Sequence, residues 1–189
     1  MKYKGERNYV HGSDFFTQAT TTLLIDYSGW LERIVFRRFT KNHCLLVLQK
    51  PLNSTATVAT ILWRRGNGEQ LPAWIVEGKE KVQERYPYDE SAVTTGSLID
   101  GESISYIGSN EYSVIENVIA LTKKLNYALS PEINGKWIFG QLTLTYGLPT
   151  TCAKIVVTRT SEIKNKFSRN NIVIDGVSLG EIRFIVGKP

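Results

Sequence analysis

Two stretches that begin alike, about a hundred residues apart, constrain the fold of this 189-residue chain more than any other feature. YVHGSDFF starts at residue 9 and SYIGSNEY starts at residue 105. When Gly12 is aligned with Gly108, Thr20 falls opposite Glu116, so only the second copy carries a carboxylate at that position. A period near a hundred residues indicates a duplicated domain rather than the short repeat of a solenoid.

The second copy contains the clearest helix pattern in the chain. Apolar residues follow the i, i+3, i+4 rhythm from Val114 to Leu129, and Pro131 ends the pattern. The matching stretch of the first copy, residues 15–25, includes three consecutive threonines, which are mediocre helix formers. Read alone, that stretch predicts a loop or a strand, and only its similarity to the second copy makes it a candidate helix.

Strand patterns follow both candidate helices. Residues 30–39 (WLERIVFRRF) and 136–146 (KWIFGQLTLTY) alternate apolar with polar side chains, as a strand with one buried face does. Each half then ends in a hairpin, with an Asn-Gly turn at residue 67 and an Asp-Gly turn at residue 175. The sequence therefore predicts an α+β fold in two repeats, residues 1–90 and 91–189.

The spacing between corresponding landmarks grows along the chain. It is 96 residues between Gly12 and Gly108, and 107 residues between Trp30 and Trp137. We attribute this growth to a longer helix in the second copy. The intervening stretch, residues 79–102, is charged and then rich in turn residues, and we expect it to link the two copies.

Composition excludes several classes of protein. With 42% hydrophobic and 22% charged residues, the chain is expected to fold, and its net charge of +5 is spread over both halves, which argues against a nucleic-acid partner. Cys44 and Cys152 stand alone, so neither a metal site nor a disulfide framework is expected. The N-terminal residues lack the apolar region of a signal peptide, and no apolar run is long enough to span a bilayer. A cytoplasmic protein is therefore expected.

Two stretches resemble known enzyme families. Residues 101–129 resemble the central segment of FcoT-type fatty acyl-CoA thioesterases, in which a Gly-Glu-Ser strand with a tyrosine leads into a helix that carries a glutamate. The matching positions are Gly101, Glu102, Ser103, Tyr106, Tyr112 and Glu116. YVHGSDFF resembles the His-Gly-Gly entry of phenylacetyl-CoA-type hotdog thioesterases, whose catalytic acid lies eight residues after the first glycine. These resemblances imply a hotdog fold and, in two copies, a double hotdog with sheets joined edge to edge.

The hotdog resemblance implies one composite active site. The first copy would supply His11 and Gly12, and the second would supply Glu116. Backbone N–H groups of Gly12 and Ser13, at a helix N-terminus, would bind the thioester oxyanion. Glu116 would act as a general base or nucleophile. In the other copy, Thr20 would mark an inactive site.

Two further residues are candidates, and simpler interpretations stay open. Tyr106 and Gly108 are candidate substrate-binding residues, although Tyr106 also fits an ordinary strand position. Glu116 together with Ser113 spells a helix capping box, which would explain it without any catalytic role. His11 also fits a turn before a helix.

Three functions remain open at this point. The first is hydrolysis or acyl transfer of an acyl-CoA or acyl-carrier-protein thioester in fatty-acid or polyketide-type metabolism. The second is dehydration of a 3-hydroxyacyl thioester by His11 and Glu116, and the third is a non-catalytic acyl-binding module. Arg38 and Arg64 are candidates for binding the phosphates of coenzyme A, although such arginines also occur on a solvated strand face. No cofactor or metal is expected, and association into a homo-oligomer is plausible.

Overall fold

The computed structural model describes residues 1–108 and 110–188. The chain divides into two compact units, Met1–Tyr88 and Asp89–Pro189. Each unit contains one long helix and one antiparallel sheet. The first, unit 1, is described before the second, unit 2.

Unit 1 contains one helix and six strands, joined in part by a 3₁₀ turn at Ser54–Ala56. In chain order these are β1 (Tyr3–Lys4), α1 (Gly12–Asp26), β2 (Gly29–Phe36), β3 (Asn42–Val47), β4 (Thr57–Arg65), β5 (Gln70–Lys81) and β6 (Arg85–Tyr86). Strands β3, β5, β4 and β2 lie side by side in that order, each antiparallel to its neighbour. The short strands β1 and β6 pair with each other in parallel.

Unit 2 begins with a single helical turn. Its elements are α2 (Glu90–Val93), β7 (Leu98–Asp100), β8 (Ser103–Ile107), α3 (Val114–Leu129), β9 (Lys136–Leu144), β10 (Lys154–Ile163), β11 (Phe167–Ile174) and β12 (Val177–Gly187). The strands lie in the order β9, β12, β11, β10, β8, β7, and all pairs are antiparallel. A strand, a long helix and four strands in sequence is the hotdog order expected for a repeat.

Helix α1 confirms the candidate helix indicated by the similarity of the copies, and it corrects the prediction of a loop or strand from residues 15–25 alone. Phe15, Ala19 and Leu23 recur every four residues and are all buried, so one face of the helix packs against the core. The Phe15 ring lies 6.1 Å from that of Phe36 at the end of β2. Burial of this face outweighs the weak helix propensity of the three threonines, which is a small effect per residue.

Helix α3 confirms the predicted helix, since it begins at Val114 and ends two residues before Pro131. Its burial is wider than one face. Between Val114 and Thr122 every side chain is buried except that of Glu116, which is half-buried. The hairpins predicted at residues 67 and 175 are also present, as the turns between β4 and β5 and between β11 and β12.

The two helices correct the alignment of the copies. The N-cap residues are His11 and Ser113, so the helix starts lie 102 residues apart rather than 96. In this register Glu116 corresponds to Asp14, not to Thr20, and each helix has a carboxylate at its third residue. The impression of a carboxylate in one copy alone came from aligning Gly12 with Gly108, which precedes the helix.

Segments before and after the helices, rather than the helices themselves, account for most of the growing spacing. The helices contain 15 and 16 residues, so the second helix is longer as expected, but one residue does not explain the growth in spacing. Only residues 27–28 connect α1 to β2, whereas residues 130–135 connect α3 to β9. The strand orders differ as well, because β2 pairs with β4 in unit 1 and β9 pairs with β12 in unit 2. The two units therefore contain the same kinds of elements, but their strands lie in different orders.

None of the described helices has the length and hydropathy needed to cross a bilayer. Cys44 and Cys152 are both free thiols. Within residues 1–108 and 110–188, no three histidine, cysteine or acidic side chains come together as metal ligands would.

Candidate functional site

His11 is the N-cap residue of α1, and its side chain is buried to 8% exposure. Its backbone is extended, with φ −79° and ψ 149°, as an N-cap requires. The ring Nδ1 lies 3.4 Å from the Ser13 N–H and 2.8 Å from the Ser13 Oγ. The imidazole is thus held at Nδ1 by the first turn of the helix.

A lysine ammonium is buried beside this histidine. Lys4 has no exposed surface, and its Nζ donates a hydrogen bond of 2.7 Å to the Ser13 Oγ. The same Nζ lies 3.6 Å from Asp14 Oδ1 and 4.4 Å from the centre of the Tyr88 ring. A buried ammonium needs such partners, because burial of an unpaired charge costs several kcal/mol, on the order of the desolvation penalty of one ion.

Asp14 completes the arrangement. Its Oδ1 accepts a hydrogen bond of 2.9 Å from the Tyr86 hydroxyl, and it lies 3.4 Å from the Ser13 Oγ. We call these five residues the His11 cluster: Lys4, His11, Ser13, Asp14 and Tyr86. The cluster contains an acid, a cation and an imidazole linked by one serine hydroxyl, so it can move or hold protons.

Pairing between β1 and β6 places two members of the cluster. Tyr3 is opposite Arg85 and Lys4 is opposite Tyr86 in this parallel pair. The Arg85 guanidinium donates to the backbone carbonyls of Gly5 and Arg7, which holds the N-terminal segment on unit 1. Sequence analysis did not identify Lys4 or Tyr86 as site residues. A lysine near the N-terminus is usually solvated, and the strand pairing that joins it to Tyr86 spans about eighty residues.

The oxyanion residues expected from the sequence lie at the start of α1. Gly12 is the first residue of the helix and is half-buried, whereas Ser13 is buried. The Asp14 N–H is already bonded to the His11 carbonyl, and the Ser13 N–H faces His11 Nδ1. The oxyanion role of the backbone N–H groups of Gly12 and Ser13 stays a prediction.

Glu116 forms the capping box expected from the sequence. Its Oε2 accepts from the Ser113 N–H at 2.8 Å and from the Ser113 hydroxyl at 2.6 Å. The Ser113 Oγ in turn accepts from the Glu116 N–H at 3.4 Å. This structural role of Glu116 is confirmed. Its role as a catalytic acid or base stays a prediction.

Tyr106 and Gly108 have local partners in unit 2. The Tyr106 hydroxyl accepts from the Asn110 side-chain amide at 3.2 Å, and that amide forms a reciprocal pair with the Asn117 amide at 2.8 and 3.0 Å. The Gly108 N–H donates to the Ala153 carbonyl at 2.8 Å, so it is already engaged. Gly108 also lies before the helix rather than at its start, which corrects its expected equivalence to Gly12.

The two arginines proposed for phosphate binding are each paired with a carboxylate. Arg38 contacts Glu77, and Arg64 Nε lies 2.8 Å from Glu32 Oε2. The Arg64 Nη1 also donates to the Gly68 carbonyl at 2.7 Å. Both guanidinium groups are thus engaged within unit 1, and binding of coenzyme A phosphates at Arg38 or Arg64 stays a prediction.

Comparison with known proteins identifies the fold. No family model matches the sequence, and no curated protein matches it. Among solved structures, a pyran synthase domain from module nine of the sorangicin pathway has a TM-score of 0.54 at 12% identity, with 99% of this chain and 91% of that chain covered. A bifunctional dehydratase-cyclase domain of ambruticin biosynthesis has a TM-score of 0.52 at 8% identity, with 95% and 83% covered.

A third structure is the dehydratase domain of PpsC from Mycobacterium tuberculosis in complex with C12:1-CoA. It has a TM-score of 0.51 at 9% identity, with 95% of this chain and 85% of that chain covered. The fold is of the hotdog type. At these identities the likeness concerns the fold, and the chemistry must be argued from the residues of this chain.

Proposed function

We propose that this chain is a hotdog enzyme that eliminates water from a 3-hydroxyacyl thioester. The observation that carries the proposal is the buried His11, held at Nδ1 and flanked by charged and hydroxyl groups, on a fold shared with dehydratase domains. Thioester hydrolysis was the first expectation from the sequence. Dehydration, its alternative, now has better support because the similar structures include dehydratase domains.

The finer description of the fold is part of this proposal. We infer a double hotdog, with unit 1 and unit 2 as its two repeats. The presence of one capped long helix and one antiparallel sheet in each unit supports it. The different strand orders of the two units mean that the repeats have diverged in topology. Nothing in residues 1–108 and 110–188 specifically supports the likeness to FcoT-type thioesterases.

Elimination requires two proton transfers. His11 Nε2 takes a proton from the α-carbon, and the electrons of that C–H bond form the C=C bond while the C–O bond at the β-carbon breaks. The departing hydroxyl takes a proton from an acid and leaves as water. Glu116 is the acid expected from the sequence. That role is tested separately by Glu116→Gln.

The substrate is proposed to be carried as a thioester of coenzyme A or of an acyl carrier protein. The complex of the PpsC dehydratase domain with C12:1-CoA supports an acyl-CoA as the first probe. Addition of a hydroxyl to a 2-enoyl thioester is the reverse kind of step: the oxygen bonds to the β-carbon, the hydroxyl gives its proton to a base, and the α-carbon gains a proton from an acid. A substrate with a second hydroxyl therefore belongs in the assay, since two of the similar structures are pyran synthase and cyclase domains.

The experiment compares wild type with His11→Asn on 3-hydroxyacyl-CoA substrates from short to long chain. Asparagine is a strong N-cap residue, so this variant removes the imidazole without weakening the start of α1. We expect 2-enoyl product without release of free thiol, and a loss of about 10²–10⁴-fold in His11→Asn. His43→Asn, which changes the other of the two histidines, is the matched control.

Three outcomes reject the proposal. Release of free thiol at the same rate as loss of substrate would indicate hydrolysis. Equal turnover by wild type and His11→Asn would remove His11 from the reaction. Absence of turnover on both coenzyme A and carrier-protein substrates would favour an acyl-binding module.

A further inference from the structure

The Ser13 hydroxyl has a restricted choice of partners. Lysine has donors only, so the Ser13 Oγ must accept the hydrogen bond of 2.7 Å from Lys4 Nζ. The single hydroxyl hydrogen must therefore point elsewhere. Two acceptors lie within reach, His11 Nδ1 at 2.8 Å and Asp14 Oδ1 at 3.4 Å.

Each choice corresponds to a different tautomer of His11. If the Ser13 hydroxyl donates to Nδ1, this nitrogen is unprotonated and the proton of the neutral ring is on Nε2. If the hydroxyl donates to Asp14, Nδ1 carries the proton and donates to the Ser13 Oγ. The first choice leaves Nε2 as a donor, and the second leaves Nε2 as a base.

The charges favour the second choice. A hydrogen bond to a carboxylate is charge-assisted and stronger than one between neutral groups. Lys4 Nζ at 3.6 Å and the Tyr86 hydroxyl at 2.9 Å both stabilise the ionised form of Asp14. Moreover, when the imidazole gains a second proton, Nδ1 can only donate. In the second arrangement, Nδ1 donates to the Ser13 Oγ whether the imidazole is neutral or charged, so the hydroxyl does not have to rotate during a proton-transfer cycle.

We propose that Asp14 is a positioning residue which, through the Ser13 hydroxyl, keeps a proton on His11 Nδ1 and leaves Nε2 as the basic nitrogen. Lys4 holds the Ser13 Oγ in place for both bonds. The inference deepens the proposed function and rests on it for its catalytic meaning. The tautomer itself is a property of the substrate-free protein.

A purely structural role would give the opposite tautomer. As the N-cap of α1, His11 would accept the Ser13 N–H at Nδ1, which requires this nitrogen to be unprotonated. That contact is 3.4 Å long, whereas the contact to the Ser13 Oγ is 2.8 Å. The position of one proton therefore separates the two roles.

The test is the tautomer of His11 in ¹⁵N-labelled, substrate-free protein, read from two-bond ¹H–¹⁵N correlations of the imidazole. His11 and His43 are the two histidines, so His43→Asn assigns the signals. We expect Nδ1–H in wild type and a shift to Nε2–H in Asp14→Asn and in Ser13→Ala. Asp26→Asn, at the exposed end of the same helix, should leave the tautomer unchanged.

An Nε2–H tautomer in wild type would overturn the inference, as would an unchanged tautomer in Asp14→Asn and Ser13→Ala. If Asp14→Asn fails to fold, the wild-type spectrum and Ser13→Ala still decide. In the dehydration assay we expect Asp14→Asn to lower kcat by about 10–100-fold, a part of the His11 contribution, with little change in KM. A protein without dehydratase activity but with the Nδ1–H tautomer would reject the proposed function alone.

Discussion

Replacing Lys4 by methionine should destabilise unit 1 far more than its place near the N-terminus suggests. The Lys4 side chain has no exposed surface, and its partner Asp14 is 21% exposed. Removing one member of a buried ion pair costs about 3–5 kcal/mol, because the other charge stays behind without compensation. Asp14 retains some solvent, so we expect the lower end of this range, about 3 kcal/mol. In a chain of this size that corresponds to a fall in Tm of about 6–12 °C.

A double mutant separates the ion pair from packing. Lys4→Met keeps an unbranched apolar chain in place, and Lys4→Met with Asp14→Asn removes both charges. Since the cost of the single change is mostly the uncompensated carboxylate, the double mutant should lose at least about 1 kcal/mol less than the sum of the two single changes. Lys2→Met is the control, because Lys2 pairs with Glu84 at an exposed position and its loss should leave stability close to that of wild type.

The assay is urea unfolding followed by fluorescence of the four tryptophans, with the m-value checked for each variant. The reasoning is refuted if Lys4→Met is as stable as Lys2→Met. It is also refuted if the costs of Lys4→Met and Asp14→Asn simply add.

Three further predictions concern other parts of the chain. Burial raises the pKa of the Cys44 thiol to about 11. At pH 8 a disulfide reagent should therefore modify Cys152 in the native protein and both thiols in urea, and rapid labelling of both thiols in the native protein would contradict this. At Gly180 φ is +142°, and an added Cβ would lie 2.1 Å from a carbonyl oxygen of the neighbouring strand. The backbone conformation alone costs a non-glycine residue about 1–3 kcal/mol, so Gly180→Ala should lower the free energy of unfolding by more than this amount. Ser113→Ala should lower the free energy of unfolding by about 1 kcal/mol through loss of the cap, without lowering activity. A fall in activity in Glu116→Gln but not in Ser113→Ala would assign Glu116 a catalytic role.

Local patterns predicted one half of the fold better than the other. The α3 helix followed from its apolar rhythm and Pro131, and the capping box followed from the spacing of Ser113 and Glu116. The α1 helix did not follow, because its stability comes from burial of Phe15 and its neighbours rather than from propensity. Similarity at a Gly-Ser pair also misaligned the copies, since turn chemistry recurs wherever a chain bends.

The candidate site was predicted in part. His11 and Gly12 stand at a helix start, as the sequence indicated. Lys4 and Tyr86 could not be identified, because they come together only through strand pairing between distant segments. Asp14 was visible in the sequence, but the wrong register hid its equivalence to Glu116. Strand pairing between distant segments cannot be deduced from a single sequence.

The measurement that tests the central claim most directly is the fate of a 3-hydroxyacyl-CoA incubated with wild type and with His11→Asn, with enoyl product and free thiol measured in the same reaction. The proposed function predicts 2-enoyl thioester without thiol release, and its loss in His11→Asn but not in His43→Asn. Thiol release in place of the enoyl product, or enoyl formation that survives His11→Asn, would contradict it.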